Sequence, residues 1–516
     1  MSLIASPATL SPSALSRRQE MGLALLGLSG AALLWLTLAP RGIGLSPDSV
    51  GYLAIAKNAL SGLGLTTYRG EPLVSQPPLY PLVIAFVAFL FHVDLAASPI
   101  LINVALFCLL IYLAGKLAFE VAQSAAIAFI AALSTLFGVP IFWVSIFAWS
   151  ELLFIFLLVL NLWLVCLHSR KKSFYLIILF SILTGLAYLV RYAGITLLIS
   201  NLICLASIRD ARRALRLKSV LLSAFISYLP GFLWMIRNYA LLGSPLGPRV
   251  APSLSFQENV VLFSNTIASW IIFPLFLYQE NFSFLWPLVF FLLIFLCYLA
   301  YNCFTEANVP LLALCIFCLI YFAFILFSSM LVAYDPIDSR LLAPAFIPLA
   351  ILLLAFLAQA LSPLPRRHIP ESLQRAAARL GILAWLAQPA LATATLAIEM
   401  RSDGQGYHGR HWRQGALIRH IAQHRGDFAG KPIYANDPEA LYFFADLPAA
   451  HLPFRVRAAW PEEGAAYLLR FDRAYRGDCR DLVAKLQAVA DMTLVASFPD
   501  GDIYLATRKP AAIGNP

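Results

Sequence analysis

Long apolar runs, each closed by a short polar or basic stretch, follow one another along most of this chain and stop near Glu399. A membrane-crossing helix needs about 20 mostly apolar residues. Eleven runs are long enough: Met21–Ala39, Pro99–Phe119, Ser124–Phe142, Glu151–Leu167, Phe174–Val190, Ala193–Ile208, Ser219–Met235, Phe284–Cys303, Pro310–Ala333, Leu342–Leu361 and Leu380–Ile398. Two shorter runs, Leu79–Phe91 and Ile267–Leu277, are flanked by prolines or polar residues and read as half-inserted or interfacial segments. The pattern therefore predicts an all-α polytopic membrane domain over residues 1–398, with eleven crossings, or thirteen if both short runs also span. Residues 399–516 are charged, glycine-containing and short in apolar runs. They read as a small soluble domain, α/β or α+β. KPIYAN (Lys431–Asn436) and DIYLATR (Asp502–Arg508) read as strands, and Arg480–Val489 has helical spacing at Leu482, Val483 and Leu486. Met400–Arg413 reads as a linker. No internal repeat of about 20–50 residues is visible.

Composition supports the same class. Of 516 residues, 60% are hydrophobic and 12% charged, which is too apolar for a soluble protein. The net charge of +10 invites a nucleic-acid reading, but its distribution excludes one. The basic residues cluster at Arg17-Arg18, His168–Lys172, Arg209–Lys218 and Pro365–Arg379, between apolar runs, where the positive-inside rule places them. Strict alternation of eleven crossings puts all four clusters on the cytoplasmic face and the C-terminal domain outside the cytoplasm. Of the 8 cysteines, all but Cys479 lie in or beside apolar runs, so they read as buried thiols rather than a disulfide framework. The run from Met21 has no convincing cleavage site near Ala39 and reads as the first spanning helix.

This topology gathers separate polar stretches on the external face. They are the first external loop (residues 40–80, with Ser46–Pro81 its polar body), Ser150-Glu151, Arg191-Tyr192, Arg237–Asn265 and Tyr334–Arg340. A shared outward-facing cavity would need such a gathering. Ser46-Pro47-Asp48 is a helix start: a capping serine, proline at the first position and an acid in the first turn. The helix runs to about Ser61, and Asp48 and Tyr52 share one face of it. Val50, Leu53, Ala54 and Leu60 give it an apolar side suited to the membrane surface. Taken alone, Asp48 need only complement the helix dipole. In Ser75–Pro81 the prolines fix an extended lead-in to the first short run. Glu151 opens a spanning segment; an acid is commonplace there, yet an ionisable group facing a cavity from a membrane helix is often functional. Arg191, Arg237 and Arg340 are boundary or snorkelling arginines on the plain reading and phosphate clamps on the functional one. There is no Walker motif, HExxH or CxxC pair. His408, His411, His420 and His424 read as solvated, and the His420/His424 pair lacks a third ligand.

Several of these stretches resemble the GT-C class of integral-membrane glycosyltransferases, and more narrowly the bacterial glycosyltransferase family 39-like and aminoarabinose-transferase-like group. The matching pieces are Asp48–Leu65, Gln76–Phe86, Trp149–Phe154, Gly185–Gly194, Trp234–Gly247 and Ser339–Leu353, with Tyr434–Phe454 fitting loosely. The resemblance implies a sugar donor carried on a polyprenyl phosphate in the bacterial inner membrane, and transfer with inversion on its external face. It implies Asp48 as general base near the acceptor hydroxyl and Glu151 as the second acidic position. Arg191, Arg237 and Arg340 are then the candidates for the donor phosphate, and Tyr52, Gln76, Tyr80, Tyr192 and Asp338 complete the candidate substrate site. No cofactor and no metal are expected, because arginines can serve the phosphate. Aminoarabinose transferases carry a basic residue just before the Pro-Pro pair; Gln76 stands there instead, which weighs against lipid A as acceptor and aminoarabinose as sugar. Glycolipid, polysaccharide and protein acceptors stay open. Two other readings remain: a transporter or flippase for a lipid-linked sugar, which usually shows inverted repeats, and a catalytically inactive relative whose C-terminal domain binds a partner.

Overall fold

A computed structural model describes residues 14–209, 213–252, 254–271, 286–333, 335–360, 371–452, 460–461, 464–475 and 480–509. The first apolar run forms α1 (Arg17–Leu38), opened by a capping box between Ser16 and Gln19. It is followed by α2 (Pro47–Leu60), α3 (Leu79–Phe91), α4 (Ser98–Ala122), α5 (Ala125–Leu136), α6 (Val139–Ser145), α7 (Glu151–Lys171), α8 (Phe174–Val190) and α9 (Ile195–Ser207). The later apolar helices are α10 (Arg213–Leu242), α11 (Phe256–Ile271), α12 (Trp286–Glu306), α13 (Val309–Ser329), α14 (Ser339–Ala360) and α15 (Glu371–Asp403). Residues 272–277 of the second short run, Arg212, Tyr334, Arg366, Arg367 and Cys479 lie outside the described residues.

Each of the eleven predicted runs contains a helix where described, but the helices differ in reach. Among the described residues, 8 helices are long and apolar enough to cross a membrane: α1, α4, α7, α10, α12, α13, α14 and α15. The pair α5 and α6 makes a ninth span if taken together across their 50° bend. That bend has a local cause. Pro140 lacks the N–H a continuing helix would use, and a Cβ on Gly138 would lie 2.6 Å from both the Ser134 carbonyl oxygen and Phe346 Cε1. At 17 and 13 residues, α8 and α9 are shorter. At 1.5 Å per residue they reach roughly 26 and 20 Å, against a hydrocarbon core of about 30 Å.

The chain forms two compact units. The first holds the described residues up to Pro40, Val74–Val83 and Ile100–Arg401. Its interior is largely apolar, with buried amides, hydroxyls and the Glu151 carboxylate among the apolar side chains. Asn161 on α7 donates from Nδ2 to the Phe180 carbonyl (2.8 Å) and to Thr184 Oγ1 (2.9 Å), and Asn201 on α9 donates to that same Oγ1 (2.8 Å). One threonine hydroxyl thus knits three helices together in surroundings that offer no competing water.

The second unit holds Arg41–Leu73, Ile84–Pro99 and the described residues from Ser402 onward. It contains the short helices α16 (Arg410–Gln414), α17 (Ala416–Gln423), α18 (Pro438–Ala445) and α19 (Arg480–Val489). Its five strands are β1 (Ile433–Ala435), β2 (Ala450–His451), β3 (Ala465–Phe471), β4 (Ala490–Phe498) and β5 (Gly501–Arg508). They form one mixed sheet in the order β2-β1-β3-β5-β4, parallel on the β1 side and antiparallel across β3, β5 and β4. Leu452, Trp460, Leu468, Val483, Leu486 and Ala506 form its core. The two strands and the helix read from the sequence are all present.

Three expectations are corrected here. Met400–Arg413 is not a linker: its first residues end α15, and the rest is packed. The Tyr407 ring is fully buried, its N–H donates to the Leu45 carbonyl (2.8 Å), and Leu45 and Gly406 form a parallel bridge. His408 is half-buried and donates from Nδ1 to the Ile43 carbonyl at 2.7 Å, so it is not the solvated histidine expected. The glycines that suggested flexibility, Gly404 and Gly406, have φ of +74° and +60° and make a tight turn. The apolar side of α2 does not lie at a membrane surface either. Val50 and Ala54 are buried, α2 packs against α18, and only Leu60 at its end is exposed.

Candidate active site

The chain breaks between α6 and α7, and Trp149, Ser150 and Glu151 occupy the end of that break. Glu151 is the first residue of α7, where the helix dipole favours a negative charge. It is 1% exposed, too buried to be stable as a lone carboxylate. Two arginines from distant segments meet it. Arg340 donates from Nε to Glu151 Oε1 at 2.6 Å, and Arg191 Nη1 lies 2.7 Å from the same oxygen. Arg191 also donates to Ser150 Oγ at 3.1 Å. Glu151 Oε2 has no hydrogen-bond partner among the described residues.

Arg340 is held from three sides. Its guanidinium carbon lies 4.1 Å from the centre of the Trp149 ring. Its Nη1 is 3.5 Å from the exposed Asp335 carboxylate. Its backbone N–H, with that of Leu341, donates to Asp338 Oδ1 at 3.0 and 3.1 Å, so Asp338 caps α14. Asp338 is exposed, and those two N–H groups and the Arg340 charge favour its carboxylate. Arg340 is thus shared among the carboxylates of Glu151, Asp335 and Asp338, and Glu151 is shared between Arg340 and Arg191. Trp149 is itself fixed by stacking on Phe147, with ring centres 4.1 Å apart and planes 7° from parallel.

A second cluster in the same unit surrounds Val74-Ser75. The Val74 carbonyl accepts from the Tyr192 hydroxyl (3.2 Å) and from Asn238 Nδ2 (3.3 Å). Trp234 Nε1 donates to the Tyr192 hydroxyl at 3.3 Å. Arg237 lies 4.4 Å over the Trp234 ring and donates to Asn238 Oδ1 at 3.0 Å. Arg249 donates to the Ser75 carbonyl at 3.0 Å and lies 5.7 Å over Tyr192. Gly247 closes this cluster: its φ is +76°, and a Cβ there would meet Ser75 Cα at 3.2 Å. Gln76, half-buried, and Tyr80, fully buried, follow directly, Tyr80 in the first turn of α3.

Asp48 and Tyr52 belong to the other unit. They sit one turn apart on α2, Asp48 half-buried and Tyr52 buried, behind the predicted cap: Ser46 and Ser49 exchange backbone and side-chain hydrogen bonds, with Pro47 at the first position. The structure thus brings Glu151, Arg191 and Arg340 together, and gathers Tyr192 with Arg237. Sequence reasoning missed Arg249, hidden in a long loop, and the roles of Trp149 and Ser150, seen only as neighbours of Glu151. Among the described residues no group of three or more His, Cys, Asp or Glu side chains could hold a metal ion.

No family model matches the chain, and no curated protein matches it in sequence. Solved structures do match. ArnT from Cupriavidus metallidurans in the apo state superposes with a TM-score of 0.58 at 17% identity, over 94% of this chain and 98% of ArnT. ArnT bound to undecaprenyl phosphate gives 0.56 at 16% identity, over 96% and 99%. The archaeal oligosaccharyltransferase AglB from Archaeoglobus fulgidus, in complex with an inhibitory peptide and a dolichol-phosphate, gives 0.55 at 14%, over 96% of this chain and 76% of AglB. This chain has the GT-C fold. With that fold and its run of long apolar helices, it is a multi-pass membrane protein. At these identities the likeness is one of fold.

Proposed function

We propose that this GT-C chain transfers a sugar from a polyprenyl-phosphate-linked donor to an acceptor hydroxyl on a glycolipid, polysaccharide or protein, at the external face of the membrane. The observation that carries the proposal is the convergence of Arg191 and Arg340, from segments far apart in the chain, on one oxygen of the buried Glu151. Two guanidinium groups held side by side in fixed positions suit a group that gains negative charge during reaction. Here that group is the leaving polyprenyl phosphate. As the bond between the anomeric carbon and the phosphate oxygen breaks, the electron pair goes to that oxygen, and the arginines stabilise it without supplying a proton. The acceptor oxygen forms the new bond to the anomeric carbon, and its proton passes to the Asp48 carboxylate as general base. Glu151 keeps the two guanidinium groups oriented, and Arg237 with Tyr192 supports the donor side. The fold shared with ArnT bound to undecaprenyl phosphate and AglB bound to dolichol-phosphate supports a lipid-phosphate ligand.

The test is binding of undecaprenyl phosphate to the purified protein in detergent, followed by transfer from polyprenyl-phosphate sugars in proteoliposomes. Arg340→Ala is expected to weaken lipid-phosphate binding about 10-fold or more, the worth of a hydrogen bond to a charged group. Binding without transfer under any donor would favour a lipid-sugar flippase, and no binding at all would remove the proposal.

A further inference from the structure

We propose that Asn103, on a helix that supplies none of the candidate catalytic groups, is a positioning residue for the Arg340–Glu151 pair; the role rests on the lipid-phosphate reading of that pair. Asn103 lies on α4 and is completely buried. Its Nδ2 donates to two carbonyls, those of Ser145 and Phe147, each at 2.8 Å. Ser145 is the last residue of α6, so its carbonyl is one of the orphan acceptors that every helix leaves at its C-terminus. In a buried apolar setting no water supplies the missing donor, and leaving such a group unpaired is costly. Asn103 supplies it from a neighbouring helix.

The second carbonyl gives the contact its consequence. Phe147 O also accepts the N–H of Trp149 at 2.9 Å, closing a three-residue turn. The turn folds the Trp149 ring back onto Phe147 in a near-parallel stack. The Trp149 ring is in turn the surface on which the Arg340 guanidinium rests, and Arg340 Nε holds Glu151. The path from amide to turn, ring, guanidinium and carboxylate is continuous. The amide acts as a donor only: Asn103 Oδ1 has no hydrogen-bond partner among the described residues. Flipping it would set oxygen against two carbonyl oxygens, so an isosteric aspartate cannot replace it.

The test uses full-length wild type, Asn103→Leu, Asn103→Asp, Trp149→Leu and the double variant Asn103→Leu/Trp149→Leu, all in detergent. Undecaprenyl phosphate affinity and near-UV circular dichroism are read for each. Leaving a buried carbonyl without its donor typically costs about 10-fold in an equilibrium constant. Asn103→Leu and Asn103→Asp are each expected to weaken binding by about 10-fold. In the Trp149→Leu background, Asn103→Leu is expected to weaken it no further. A role confined to general packing would give additive losses, and that outcome, or unchanged binding in both single variants, overturns the proposal. If the wild type does not bind undecaprenyl phosphate, the lipid-phosphate reading fails. The near-UV spectra then decide on Asn103: its spectral change must vanish in the Trp149→Leu background, and a change that persists there overturns the positioning role. Should the leucine variant not fold, the aspartate variant, of the same size, is read in the same cycle.

Discussion

Arg340 Nε and Glu151 Oε1 approach to 2.6 Å although 189 positions separate them in the chain. The acid is 1% exposed and shares that single oxygen with Arg191. Removing one member of a buried charged cluster leaves the others uncompensated. Glu151→Gln should therefore lower stability by about 3 kcal/mol, even though the amide oxygen can still accept a hydrogen bond. Thermal unfolding in detergent measures this. An unchanged midpoint would mean that the two arginines do not depend on the acid, and the cluster would lose its structural argument.

Asp48 calls for a different signature. Its place in the first turn of α2, behind a complete capping box, is enough for a structural role, so stability alone cannot identify its chemistry. Asn at this position keeps the shape and removes the base. General-base catalysis typically contributes about 10²- to 10⁴-fold. Asp48→Asn should therefore reduce transfer by at least about 100-fold while changing undecaprenyl phosphate affinity by less than about twofold. Transfer that survives the substitution unaltered would remove Asp48 as the base.

The membrane helices were legible because hydropathy is a local property, and each apolar run announces itself. The cap at Ser46 was legible for the same reason, since its parts lie within four positions of one another. Asp48, Glu151, Arg191 and Arg340 could be named as candidates, but their grouping could not. The pairing of Arg191 and Arg340 with one oxygen of Glu151 depends on how helices far apart in sequence are packed. Asn103 left a trace, a lone amide within the apolar run PILINVALF, but nothing in the run says what the amide meets. The reading of Met400–Arg413 failed for a specific reason. Glycine marks both flexible chain and fixed turns, and composition does not separate Gly404 and Gly406, held at positive φ beside a buried Tyr407, from a solvated linker.

Gly247 offers a test of the second arginine cluster that leaves its polar groups in place. Its φ of +76° costs an L-residue roughly 1–2 kcal/mol. A Cβ would also press on the Val74-Ser75 backbone at 3.2 Å, closer than ordinary contact. Gly247→Ala should thus destabilise the protein by at least about 1 kcal/mol and loosen the Tyr192 and Asn238 hydrogen bonds to Val74. Unfolding midpoints measure the first effect. Faster amide exchange or proteolysis at residues 74–76 would report the second, and an unaltered pattern at both would show that the turn tolerates a side chain.

The sheet of the second unit carries a charge pair whose pH dependence has a definite sign. Arg470 on β3 and Asp502 on β5 stand directly opposite in the antiparallel register, and Arg470 Nε donates to Asp502 Oδ2 at 3.1 Å. Ser497 donates to Oδ1 at 2.7 Å and the Tyr504 hydroxyl to Oδ2 at 3.3 Å. Burial pushes the Asp502 carboxyl up, but the hydrogen bonds from Arg470 and Ser497 and the Arg470 charge outweigh it and hold the carboxyl below its usual 3.8. The unfolded chain therefore binds more protons in the interval between the two values, and stability rises with pH across it. The contribution is fully present above the unfolded value and is lost as pH falls through the folded one. Asp502→Asn should accordingly cost about 1–3 kcal/mol at pH 7, measured as a drop in unfolding midpoint. The gap between variant and wild type should close as the pH is taken below about 3, under the usual range for aspartate. A gap that stays constant down to that pH would show that the aspartate acts through packing rather than through its charge.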